Sequence, residues 1–268
     1  MERKIPVPCG KCPACLKRRA NGWAFRLKEH HKTTTSAYFL TLTYDNEHVP
    51  ISEKNFLTLN KKHFQDFLKR LRKHHTLQNI DTKICYYAVG EYGTNTYRPH
   101  YHAIIYNINP DLLQKAWTLG QIHVGEVNGA TISYVCKYLH KGKTIPMHQN
   151  DDRVPEFSLM SKKLGLNYLT PQMLKYHRDD ISRNYVTLEG GVKSAMPRYY
   201  REKIYDEKQR YKQSLIIVEN QHKKQIRDVI EYTNNGNPIE NYDYDRFQSI
   251  KYCFETFNLK SKQSRQKL

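Results

Sequence analysis

Nowhere in this sequence do apolar residues run for the roughly 18 positions that a membrane-crossing helix needs, so no transmembrane segment is expected. The opening residues, MERKIPVPCG, lack the apolar stretch of a secretion signal. Both absences argue for a chain that stays in the cytosol of the cell that makes it. There, the six cysteines are expected to be thiols or metal ligands rather than disulfides. Tryptophan is scarce, with two residues against nine phenylalanines and 21 tyrosines. Tyrosine tolerates a half-wet surface and can stack on bases. Acidic residues are also in deficit, 26 against 44 Lys and Arg, for a net charge of +18 and a pI near 9.5. A charge of that size says nothing about fold but favours a polyanionic partner, most simply nucleic acid. With 38% hydrophobic residues and a mean hydropathy of −0.81, the 268-residue chain has a modest core, in one large domain or one domain with an appended subdomain.

Periodicity gives an ordered set of elements. Residues 11–31 turn helical after Pro13, with Leu16, Trp23, Phe25 and Leu27 as apolar points. AYFLTLTY, from Ala37 to Tyr44, is β-branched and aromatic and reads as a strand. NKKHFQDFLKRLRKHH places Phe64, Phe67, Leu68 and Leu71 at helical spacing between basic residues: one face buried, the other open to phosphates. KICYYAVGEYG and RPHYHAIIY are two strands joined through a short loop at 94–97, hence antiparallel. A short helix follows from Pro110 to Trp117, then the strand QIHVGEV, then the helix GATISYVCKYLHKGK, ending near Gly142. The order from the first strand is β, α, β, β, α, β, α. It predicts an α+β fold with a central antiparallel sheet and helices on its faces. Beyond residue 150 the signal weakens to one long helix, from Pro197 to about Tyr232, a breaker at Asn234–Pro238 and a basic, unstructured tail.

The run RPHYHAIIY raises a question of its own. Strand side chains alternate faces, so His100 and His102 share one with Ile104, and Tyr101 and Ala103 share the other. Imidazoles about 6–7 Å apart along a strand can converge on one cation; two hydrogen-bonded histidines at a strand end are the blander reading. With the turn at 94–97, Glu91 falls roughly opposite His100 and completes a three-ligand set, with Asp45 or Glu47 as the substitutes should it point away. Its hard oxygen admits Mg2+ or Mn2+, and the imidazoles would also accept Zn2+ or Ni2+. Open positions on such an ion take phosphate oxygens. A nucleophile is offered by YVCKYLHK, in which Tyr-x-x-Lys occurs twice, as Tyr134 with Lys137 and Tyr138 with Lys141. On a helix the tyrosines lie one turn apart, about 5–6 Å between Cβ atoms. Free tyrosine, with a pKa of about 10, attacks poorly unless a cation stabilises the phenolate. A tyrosine stripe packed into a core is the alternative.

GEYG, RPHYH and YVCKYLHK in this order and spacing resemble the HUH endonucleases, the rolling-circle replication initiators, and FLTLTYDNEHVP is similar to their first motif. PCGKCPAC, LMSKK, PRYY and the paired tyrosines most resemble the initiators of microviruses, of the gokushovirus type. The resemblance spans about residues 8–200. It implies a ferredoxin- or RRM-like endonuclease domain over 1–200, preceded by its Cys-containing helical segment, and a helical extension with a basic tail over 201–268. It implies His100 and His102 as metal ligands with Glu91 as the third, Tyr134 and Tyr138 as nucleophiles, and Lys137 and Lys141 as their assistants. The substrate would be single-stranded origin DNA, the intermediate a 5′-phosphotyrosine and the setting the cytoplasm of a bacterial host, with no membrane involved. One departure is that the middle residue of the histidine pair is Tyr101 rather than a plain aliphatic. Another HUH enzyme, a relaxase or single-strand transposase, would share the site, and a non-catalytic binder of nucleic acid would use the same rings for stacking.

Two further motifs stand apart. Cys9, Cys12 and Cys15 offer three thiolates to zinc, whereas a closed structural site wants four, and no fourth cysteine or histidine follows at zinc-finger spacing. A distant histidine or Cys136 would have to complete it; otherwise the thiols help to fold an N-terminal turn. Gly142-Lys143-Thr144 imitates the end of a P-loop, but Lys137 stands where its first glycine belongs. With no unwinding engine of its own, the protein is expected to use the host helicase and polymerase. The basic stretches Lys61–His75 and Lys260–Lys267 are expected to track the DNA backbone.

Overall fold

Leu40 and Leu42 alternate with Phe39 and Thr41 along β1 (Ala37–Thr43), and this two-residue period recurs in the neighbouring strands to give the sheet two different faces. The computed structural model describes residues 8–138 and 145–266. Two compact units are present, one from Trp23–Asn167 and the other from residues 8–22 with Tyr168–Gln263. This division differs from the boundary expected at residue 200, which falls inside a helix, α6 (Arg198–Ile204).

The first unit is built on a five-stranded sheet with the order β4-β1-β3-β2-β5, formed by β1, β2 (Cys85–Tyr92), β3 (Pro99–Tyr106), β4 (Ile122–Glu126) and β5 (Phe157–Met160). Every pairing is antiparallel. The α+β architecture expected from the sequence is therefore present. The β2–β3 hairpin closes through the Gly93 N–H to Arg98 carbonyl bond of 3.0 Å, with Tyr97 in the left-handed region at φ 50°.

One sheet face carries Leu40, Leu42, Ala88, Tyr101, Ala103 and Ile105, and α2 (Lys61–Leu77) covers it with Phe64, Phe67, Leu68 and Leu71. Asn60 starts α2 by accepting the Lys62 N–H, satisfying one of the helix's orphan donors. Each of these large side chains contributes roughly 1.5–3 kcal/mol by leaving water. The Tyr101 hydroxyl, fully buried here, donates to the Asn60 carbonyl at 2.7 Å and meets the Tyr44 hydroxyl at 2.8 Å. That explains a tyrosine between the two histidines: its ring packs on Phe64 and its oxygen steadies the start of α2. The other face carries Phe39, Thr41, Tyr87, Glu91, His100 and His102. It receives α1 (Pro13–His31) at Trp23, 5.2 Å from Tyr87 between ring centroids, and α4 (Gly129–Lys137) at Tyr134. The short α3 (Leu113–Ala116) packs beside α2.

In the second unit, α5 (Pro171–Asp179) and the hairpin β6 (Tyr185–Thr187) and β7 (Lys193–Ala195) lead into α6, α7 (Glu207–Asn234) and α8 (Tyr242–Gln266). A small core forms around His177, Tyr200, Tyr205 and Gln213. The single helix expected from Pro197 to Tyr232 is two. Asp206 accepts the Gln209 N–H and the Gln209 side chain accepts the Asp206 N–H, a capping box that starts a new helix. The breaker is where expected, since α7 ends at Asn234. The tail expected to lack structure is instead helical through Gln266, as the end of α8.

Candidate active site

Three strands and one helix bring the site together. Antiparallel register sets Glu91 directly across from His100 and Val89 across from His102, while Thr41 of β1 faces His102 from the other side. Glu91 Oε1 lies 3.1 Å from His100 Nε2 and 2.9 Å from His102 Nε2. Of the substitutes, Asp45 is occupied elsewhere, with Oδ1 2.7 Å from His48 Nδ1 and accepting the Glu47 and His48 N–H groups. Glu47 is exposed outside the cluster.

The donor set fits a divalent cation. His100 Nδ1 lies 3.1 Å from the Arg98 carbonyl oxygen, which can only accept, so that nitrogen carries the proton and Nε2 offers its lone pair. His102 Nδ1 is held 3.0 Å from the Thr41 hydroxyl, which leaves its Nε2 turned to the same point. Two lone-pair nitrogens and a carboxylate oxygen this close repel one another unless a cation or a proton sits among them. Ligands at about 2.1 Å on one octahedral ion lie about 3 Å apart, as these atoms do. Burial alone would raise the Glu91 carboxyl, but the hydrogen bonds and charges of His100 and His102 outweigh it and hold the group at about 2, ionised and ready to bind.

The tyrosines lie over this cluster. Asn128 and Thr131 form a capping box that starts α4, and Ile132, Val135 and Cys136 bury one side of it. Tyr134 then points at the cluster, its hydroxyl 3.3 Å from His102 Nε2. Tyr138, at the end of the helix, donates its hydroxyl to the Tyr134 oxygen at 2.7 Å. Burial raises both phenols, and the Glu91 charge raises them further; the Tyr138 hydrogen bond pulls Tyr134 back in part. Lys137 Nζ is 5.9 Å from the Tyr134 ring centroid. Lys141 lies outside the described residues, as do Gly142, Lys143 and Thr144.

The sequence reading did not single out Thr41, Phe39 or the Arg98 carbonyl. Phe39 stacks on His102 with ring centroids 5.5 Å apart and planes at 10°, which fixes the imidazole plane. Residues 39, 41 and 43 share the histidine face once β1 and β3 are paired, and that alternation is the signal for them in the sequence. The basic stripe on α2 needs a correction. Phe64 packs on Tyr101, so α2 and its exposed Lys61, Lys62, Lys69, Arg72 and Lys73 lie on the sheet face opposite His100 and His102. Lys267 is outside the described residues.

In the second unit, the Sγ atoms of Cys9, Cys12 and Cys15 lie within 4.8 Å of one another. Among the described residues no fourth ligand atom joins them. Cys136, considered above as a fourth ligand, is buried in α4 instead.

Comparison with known proteins agrees with this geometry. Residues 37–143 match the family model of the replication-associated protein ORF2. That segment runs from the first residue of β1 and holds Glu91, His100, His102, Tyr134 and Tyr138. This chain is similar to phage replication-associated proteins. It is 28% identical over 293 positions to the replication-associated protein VP4 of Bdellovibrio phage phiMH2K, covering 97% of this chain and 90% of the relative. It is 28% identical to ORF2 of Spiroplasma virus 4, over 72% of this chain and 66% of that one, and 27% identical to ORF4 of Chlamydia phage 1, over 74% and 53%. The chain thus spans about two thirds and about half the length of the latter two. No solved structure matches it. Among the described residues no helix is long and apolar enough to cross a membrane.

Proposed function

We propose that this protein initiates rolling-circle replication by nicking and rejoining single-stranded origin DNA of a phage, inside the bacterial host cell, as an HUH-type endonuclease. The observation that carries this reading is one of position: Tyr134 and Tyr138 stand one turn apart over the Glu91–His100–His102 cluster, Tyr134 within 3.3 Å of a ligand nitrogen. A stripe of core tyrosines would bury its hydroxyls against apolar neighbours, whereas these two point at three metal-ligating atoms.

Mg2+ or Mn2+ held by Glu91, His100 and His102 would supply Lewis-acid polarisation of a phosphodiester oxygen and charge to favour a nearby phenolate. The protein's own residues do the rest. Thr41, Phe39 and the Arg98 carbonyl hold the two imidazoles in one orientation. The Tyr134 oxygen attacks phosphorus, the bond to the 3′-oxygen breaks, and a 5′-phosphotyrosine and a free 3′-OH result, the phenolic proton passing to solvent and the 3′-oxygen taking one up. Tyr138 donates a hydrogen bond to the oxygen that acquires charge, which favours Tyr134 as the first nucleophile. Tyr138 remains for the second cut, after which the released 3′-OH attacks the first phosphotyrosine and closes the circle. Lys137, and Lys141 by the same spacing, would meet phosphate oxygens. The 3′-OH primes a host polymerase, and unwinding falls to a host helicase.

The test is a denaturing gel of the protein incubated with origin oligonucleotide and Mn2+. A covalent protein–DNA band that Tyr134→Phe/Tyr138→Phe abolishes supports the proposal. Tight binding with no band under any divalent cation favours a non-catalytic binder.

A further inference from the structure

The three cysteines before and within the first turn of α1 have no part in that chemistry. Cys9 and Cys12 flank a turn in which Gly10 adopts φ 74°, a left-handed conformation that costs glycine little. The turn brings the Cys12 N–H to the Cys9 sulfur at 3.2 Å. Cys15, on the first turn of the helix, returns its sulfur to 3.9 Å from that of Cys9. The separation is far beyond a disulfide bond of about 2.05 Å. It matches the edge of a tetrahedron around a single zinc, which at a Zn–S distance of about 2.3 Å is about 3.8 Å.

We propose that Cys9, Cys12 and Cys15 bind one zinc ion through three thiolates at the N-terminal end of α1, with solvent as the fourth ligand.

The charge around the site favours this. Three thiolates on a divalent cation leave one net negative charge. The positive end of the α1 dipole and the flanking Lys11, Lys17, Arg18 and Arg19 offset it, and no acidic residue stands in the first turn. Cys9 is exposed and the other two half-exposed, so water reaches the fourth position. Binding releases the three thiol protons to solvent. The spacing Cys-x2-Cys-x2-Cys also opens the ferredoxin pattern for a four-iron cluster, but Arg19 stands where its fourth cysteine belongs. Such a cluster puts each thiolate on a different iron, spreading the sulfurs more widely than these. The inference stands independently of the reading of the Glu91 cluster.

The experiment removes the other metal site first. In a Glu91→Ala/His102→Ala background, the full chain purified with zinc and dialysed should retain about one zinc ion. The further change of Cys9, Cys12 and Cys15 to serine should bring that to near zero. Cobalt in place of zinc should give the thiolate charge-transfer absorption that only sulfur ligands produce. A third measurement needs no cysteine variant. Iodoacetamide followed by mass spectrometry should label Cys9, Cys12 and Cys15 only after chelation, while exposed Cys253 reacts in both cases. Zinc retained by the triple serine variant, cobalt without thiolate absorption, equal labelling with and without zinc, or iron with acid-labile sulfide in the purified chain would each overturn the proposal.

Discussion

Glu91 and His100 sit directly opposite one another on β2 and β3, and the carboxylate oxygen of one lies 3.1 Å from Nε2 of the other. The same oxygen reaches His102 at 2.9 Å. One carboxylate thus ties two imidazoles into a single acceptor cluster whose members need a cation between them.

Removing a member should therefore separate chemistry from binding. Glu91→Ala and His102→Ala should abolish the covalent adduct and weaken Mn2+ binding by calorimetry, while DNA affinity stays within a few fold, since it rests on Lys and Arg contacts to phosphates. Chelation of the wild type should stop adduct formation, and added Mn2+ should restore it. Unchanged Mn2+ affinity in both variants would place the metal elsewhere.

The tyrosine pair makes a sharper demand. Tyr134→Phe and Tyr138→Phe should each still form an adduct on a single-site oligonucleotide, fail at the second transfer that closes the circle, and lose the adduct altogether only when combined. Loss of the Tyr138 hydrogen bond, worth about 1 kcal/mol, should slow the first cut by Tyr134 about 5-fold. Complete circle release by either single variant would mean that one tyrosine suffices.

Tyr101 tests the opposite face of the same strand. Its hydroxyl holds Asn60 at the start of α2 and touches nothing in the cluster, so Tyr101→Phe should cost about 1–2 kcal/mol in stability and lower the Tm by a few degrees. Adduct yield below the transition should be unaffected. A variant as stable as the wild type would show that this hydroxyl does not support α2.

Charge offers a fourth measurement. Affinity for single-stranded DNA should fall with salt, the logarithm of the association constant dropping by about 0.7 per phosphate contact for each decade. Changing Lys69, Arg72 and Lys73 to glutamine should alter this slope little on a short origin oligonucleotide, because α2 lies across the sheet from the tyrosines. A large loss of slope would mean that the DNA wraps around the sheet edge onto α2.

The sequence by itself determined the local facts. Alternation and helical spacing marked β1 to β4, α1, α2 and α4, because period two and period 3.6 follow from backbone geometry alone. Parity put His100 and His102 on one face, and the short loop after Gly93 placed Glu91 opposite His100. What lay beyond residue 150 was harder to read: β5 is four residues long, β6 and β7 three each, too short to show a period, and the break at Asp206 depends on a capping box inside an otherwise continuous helical pattern. Strand order is not a local property either. Only the tertiary structure put β1 between β3 and β4, and with it Thr41 against His102 and Phe39 over its ring. It alone set α2 and its lysines on the far side of the sheet, because a helix amphipathic in sequence does not say which face of a sheet its apolar side will find. And it alone brought the hydroxyl of Tyr134 to His102, a contact between residues 32 apart that exists because α4 packs on β3.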